Sequence, residues 1–117
     1  MGSDIVDTNG LLLVAKEKLL TDKLVAQVAK DFSLANISLQ LPITFEANTF
    51  ISVIRDRVYR LITEHFSEYL NLLYIIDVPE RELENMQVTD AAEIADQVTF
   101  LILKREFQKV MYKTLYG

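Results

Sequence analysis

A chain of 117 residues, half of them hydrophobic, with a formal net charge of −5 and no cysteine, has the material for one core and no means of closing a disulfide or building a thiolate metal site. Its acidic balance lacks the basic stripe of a nucleic-acid binder, and no uncharged run approaches the roughly 20 residues of a membrane span. The first residues, Met1-Gly2-Ser3-Asp4, are acidic, and the apolar run Leu11–Val14 meets Lys16 and Lys18 at once. A secretory leader has the opposite pattern, so a soluble cytoplasmic protein is expected.

Glycine stands only at positions 2, 10 and 117, and proline only at 42 and 79. So few turn residues favour a few long helices. The expected fold class is all-α: a small helical bundle of three main helices plus one short helix, with an extended crossing segment near 37–45. A single domain over 1–117 is expected, with residues 1–10 as a flexible tail.

The first helix is expected to follow Asp7-Thr8-Asn9-Gly10 and run from about Leu11 to Phe32. Its apolar phase shifts near Thr21-Asp22, which marks a kink or break. From Leu24 on, Val25, Val28 and Phe32 share a face. The next stretch, Ile37 to Phe45, is apolar at odd positions and not at even ones, the period of an extended segment. Pro42 removes a ladder donor, and the chain offers no good second strand. An extended connector across the helices is the plain expectation, and a β-ribbon between two copies the sharper one.

The second helix is expected from about Thr44–Thr49, with Asn48 as cap, through to Ile76 as the central element. Ile51, Ile54, Val58, Leu61, Ile62, Tyr69, Leu72, Leu73 and Ile76 form its stripe, and Leu70, Tyr74 and Ile75 extend the apolar surface round its end. A helix apolar on all sides is a buried helix, so Tyr69–Ile76 is expected to be the most enclosed part of the fold. Asp77-Val78-Pro79-Glu80 has the form of a capping box opening a short helix to about Met86, and Asp90-Ala91-Ala92-Glu93 opens the last helix to about Tyr116.

That last helix carries two apolar faces. One holds Ile94, Val98, Leu101, Ile102, Tyr112 and Tyr116. The other holds Phe100, Leu103, Phe107, Val110 and Met111. With three main helices available, the second face becomes a candidate subunit interface and a homodimer is expected.

The missing internal glycines remove the phosphate-cradling GxxxxGK[ST] and GxGxxG loops and the GxSxG elbow. One histidine and no cysteine argue against structural zinc, and position 62 is Ile where a Glu-x-x-His di-iron motif needs Glu. Neither cofactor nor metal is expected. Carboxylates such as Asp56, Glu64 and Glu68 lie where nothing tunes them for acid–base work.

His65 falls in the middle of the second helix's stripe, beside Leu61, Ile62, Tyr69 and Leu72. Arg105 interrupts the Ile94–Tyr112 face, with Lys109 one turn on; their stems suit snorkelling with the heads in water or paired to an acid. If the two interrupted faces oppose each other, His65, Arg105, Tyr69 and Tyr112 form a candidate polar pocket. Residues 77–96 are mainly acidic and 104–113 mainly basic, which suits helix macrodipoles and also an antiparallel dimer. The function expected from these features is that of a non-enzymatic, self-associating helical protein acting through protein–protein contacts. The alternative is a small-molecule-binding bundle with a polar pocket around His65 and Arg105.

Overall fold

The computed structural model describes residues 5–87 and 90–117. Among them the chain is all-α, with no strand. It runs α1 (Thr8–Glu17), α2 (Thr21–Leu34), α3 (Ala47–Glu64), α4 (Phe66–Ile76), α5 (Glu80–Glu84) and α6 (Ala91–Tyr116).

There are more helices than the expected three long and one short, and the way they end explains it. Left-handed backbone at a helix C-terminus falls usually to glycine, which this chain lacks between Gly10 and Gly117. It uses Leu19 (φ 59°), Asn36 (φ 62°) and Asp77 (φ 69°) instead. After α1 the amide of Leu19 donates to Lys16 O and that of Leu20 to Ala15 O; after α2 the amides of Asn36 and Ile37 donate to Ser33 O and Phe32 O. Both pairs form the Schellman pattern. The first expected helix is therefore two, divided at Lys18–Leu20, two residues before the phase shift at Thr21.

Residues 5–10 are not part of the flexible tail expected over 1–10. Asp7 Oδ1 accepts from the Gly10 amide at 2.7 Å and caps α1, while Ile5 packs on the core. Residues 1–4 lie outside the described part. The long second helix is also two. His65 (φ −143°, ψ 62°) ends α3 and precedes α4. Glu46, rather than Asn48, caps α3: its carboxylate accepts from the amides of Asn48 and Thr49 at 3.1 and 2.9 Å.

Asp77 closes α4 rather than opening α5, whose N-cap is Pro79. Asp90 does cap α6, accepting from the Glu93 amide at 2.9 Å. Between α2 and α3 runs an extended connector. Ile37 is buried, and Leu39 and Leu41 are partly buried against the core.

The centre of the fold is α6, not the 48–76 region. Helices α1, α2, α3 and α4 all pack against it, and Val98, Leu101, Ile102, Leu103, Phe107 and Val110 are buried around it. Over the middle of this helix, from Val98 to Val110, both apolar faces are thus covered within one chain, while Tyr112 and Tyr116 at its end are exposed. The expected interface is corrected accordingly: Leu103, Phe107 and Val110 are core residues, and Phe100 and Met111 are partly buried against the same core. The run Tyr69–Ile76 is corrected too. Tyr69, Leu72, Leu73 and Ile76 are buried, but Leu70 and Tyr74 face solvent.

Two outcomes test this architecture. Leu103→Ala should cost about 2–5 kcal/mol, read by denaturant unfolding, with the same loss at every protein concentration, because its cavity opens inside one chain. Leu19→Gly should stabilise by about 1 kcal/mol in the same measurement, since it relieves a left-handed non-glycine residue whose side chain is 88% exposed and packs on little.

Candidate functional site

The break at His65 resets the helical phase, so a count of about 100° per residue does not carry from α3 into α4. His65 consequently lies exposed at the junction instead of in the core, with Nδ1 3.3 Å from Glu68 Oε2. Tyr69 is buried, its ring 5.3 Å from that of Phe66. Arg105 donates from Nε to the Asp77 carbonyl at 2.9 Å and from Nη2 to Asp77 Oδ2 at 3.2 Å. Tyr112 is exposed, its ring 5.0 Å from that of Tyr116.

His65 thus marks the start of α4 and Arg105 is tied to its end, about 16 Å away for a helix of this length. The structure does not assemble the expected pocket. Two surface cavities, of about 130 Å3 and about 570 Å3, are lined by other residues. The charge polarisation is taken up within the chain: Lys104 Nζ meets Glu82 Oε1 at 2.8 Å, and Arg105 meets Asp77.

What the sequence reading missed is a set of charged side chains sealed between α2 and α6. Asp31 is 4% exposed and Glu106 has no exposed surface. Lys109 Nζ donates to Asp31 Oδ2 at 2.7 Å and stands 3.4 Å from Glu106 Oε1. Gln27 Nε2 donates to the same Asp31 oxygen at 3.2 Å, and Lys113 Nζ donates to Gln27 Oε1 at 2.8 Å.

Among the described residues, neither Glu106 oxygen has a hydrogen-bond partner as a carboxylate. Protonated, it is a donor to Asp31. Burial first, then the hydrogen bond to Asp31 and its negative charge, push the Glu106 carboxyl up from an ordinary 4.5 to about 9, against the pull of Lys109. Burial also raises Asp31, but hydrogen bonds from Glu106, Lys109 and Gln27 and the charge of Lys109 outweigh it and hold Asp31 below its ordinary value. Such a pair shares one proton because two adjacent carboxylates resist joint ionisation. With Glu106 sealed, the pair can hold a proton but presents no surface to a substrate.

A signal for this cluster was present in the spacing. Leu24, Gln27, Val28, Asp31 and Phe32 follow the i, i+3, i+4, i+7, i+8 pattern of a core face. Thr99, Ile102, Leu103, Glu106 and Phe107 do the same on α6. In both, polar residues occupy core positions.

A second feature is the outer side of α4. Phe66, Leu70 and Tyr74 are 54%, 52% and 83% exposed. Their i, i+4, i+8 spacing makes one apolar ridge, on the side of the helix flanking the ridge that docks on the core.

No known protein family, curated protein or solved structure matches the chain. Among the described residues, no helix is long and apolar enough to cross a membrane.

The buried pair sets a pH dependence whose sign follows from where the proton resides. The unfolded chain releases the Glu106 proton near 4.5, and the folded chain holds it to about 9. Stability should therefore fall as pH rises through that interval, by at most about 1.4 kcal/mol per unit. Asp31 acts on the other limb: its contribution is present above its unfolded value and lost as pH falls through its lowered folded value. Melting followed by circular dichroism should give a higher Tm near pH 5.5 than near pH 8.5, and Glu106→Gln should flatten that difference.

Proposed function

We propose that this protein acts through protein–protein contacts rather than catalysis, and that it self-associates through the outer face of α4. The observation that carries this reading is the solvent-facing ridge Phe66, Leu70 and Tyr74. A contiguous exposed apolar ridge on a small domain marks an interaction surface. The most strongly perturbed acid, Glu106, is sealed from substrate, which favours a binding role over a chemical one.

The ridge suits a second copy of the chain. Its order is aromatic, leucine, aromatic, symmetric about Leu70. An antiparallel two-fold pairing sets Leu70 on the axis and Phe66 of each copy against Tyr74 of the other, the self-complementary arrangement of an isologous contact. Antiparallel pairing also opposes the two helix dipoles.

The three side chains supply on the order of 700 Å2 over two copies, taking typical residue areas. Stable complexes bury about 1,200–2,000 Å2, so the reading is of a weak, concentration-dependent dimer. The small-molecule alternative is not carried forward, because His65 and Arg105 mark opposite ends of α4.

Sedimentation equilibrium up to about 1 mM protein should show reversible dimerisation at micromolar or weaker affinity. Leu70→Glu should remain monomeric throughout with unchanged helicity, since its side chain lies outside the core. A wild type that stays monomeric, or a dimer that Leu70→Glu leaves intact, overturns the proposal.

A further inference from the structure

The charges between α2 and α6 balance only when a proton is present. With it, the Asp31 carboxylate and the Lys109 ammonium cancel at 2.7 Å, and neutral Glu106 donates to Asp31. Without it, two carboxylates face one ammonium, and Glu106, with no exposed surface, makes no hydrogen bond and has only the ion pair to Lys109 at 3.4 Å. An unbalanced charge in such a site is far more costly than at a surface.

The charges acting on Glu106 among the described residues are those of Asp31 on α2 and Lys109 on α6 itself; none comes from α1, α3 or α4. Lys113 is exposed and reaches only the outer side of the cluster, through Gln27.

The element able to respond is α2, which joins the rest of the fold through a left-handed residue at one end and an extended connector at the other. It begins beside the left-handed Leu19, and its N-cap, Leu20, makes no side-chain capping bond. Beyond its C-terminal turn, residues 38–45 of the connector make no backbone–backbone hydrogen bond among the described residues and are held by the packing of Leu39 and Leu41. By contrast, α3 is capped at its start by Glu46 and packs on α6 through the buried Phe50, Ile54, Val58 and Leu61.

We infer that the Asp31–Glu106–Lys109 cluster is a proton-dependent latch: one proton between the two carboxylates keeps α2 seated on α6, and its loss lets α2 swing away, hinged at Leu19 and along the 38–45 connector. Opening exposes the inner face of α2, Leu24, Val28 and Phe32, which is buried in the closed state. The device is independent of the α4 ridge, which lies on a different element.

Residue-resolved amide exchange from pH 6 to pH 10, corrected for the intrinsic pH dependence of exchange, tests it. In the wild type, protection of the α2 amides should fall by about tenfold per pH unit over the range in which the pair ionises, while α3 amides keep theirs. Glu106→Gln supplies a neutral donor at every pH and should hold α2 protection flat.

Three results overturn the latch: pH-independent protection of α2 in the wild type, equal loss in α2 and α3, or an undiminished pH dependence in Glu106→Gln. Should that variant fail to fold, carboxyl carbon NMR of the wild type decides the matter. A protonated Glu106 at neutral pH supports the latch, and an ionised one removes it.

Discussion

The rest of this fold depends on covering the middle of α6. Its buried residues, from Ala95 through Val98, Ile102, Leu103 and Phe107 to Val110, occupy more than one face, and an apolar helix surface left in water costs about 25 cal/mol per Å2. A short chain meets that demand by breaking its remaining length into pieces that wrap one helix. The breaks at Leu19, Asn36, His65 and Asp77 are therefore as much a part of the core's design as the leucines inside it. Three of them are left-handed without glycine, so local strain is tolerated in exchange for coverage.

The same arrangement moves the apolar surplus to a place the composition did not indicate. Once α6 is enclosed, Leu103, Phe107 and Val110 are unavailable to any partner. The helix before the acidic stretch, α4, docks through Tyr69, Leu72, Leu73 and Ile76 and turns Phe66, Leu70 and Tyr74 outward. The polarised charges are largely engaged at home, Lys104 with Glu82 and Arg105 with Asp77. The surface α4 offers for contact is apolar and narrow, which is why the self-association proposed for it is weak.

Between α2 and α6 the core departs from apolar packing. A buried ion pair rarely adds stability over a hydrophobic equivalent, and a buried carboxylic acid beside it adds less. Its effect is positional. Lys109 reaches Asp31 at 2.7 Å, and a slip of α2 along α6 would separate these partners and strand a charge. The cluster ties the seating of α2 to a single proton, while the rest of the core rests on contacts indifferent to pH.

Much of the local structure was legible. The all-α class, the break in the first helical region, the extended connector and the Asp90 cap can all be read from periodicity and capping chemistry, because these are short-range effects. The interruption at His65 was not legible: no proline or glycine marks it, and it depends on α4 turning to meet α6. With the phase lost there, His65 moved to the surface and the pocket imagined with Arg105, Tyr69 and Tyr112 dissolved. Asp31 and Glu106 stood at core spacings in plain view, yet a carboxylate at a core position becomes meaningful only when its partner on a distant helix is known.

The sequence by itself determined that the chain is helical, that its last helix is apolar on two sides, and where several helices begin, because helix propensity, capping and periodicity act within a few residues. Only the tertiary structure decided that both sides of the middle of α6 are covered by its own chain, that α4 keeps an open ridge, and that Asp31, Glu106 and Lys109 meet. Those outcomes depend on side chains as far apart in sequence as positions 31 and 109, and packing and electrostatics across such separations leave no local trace.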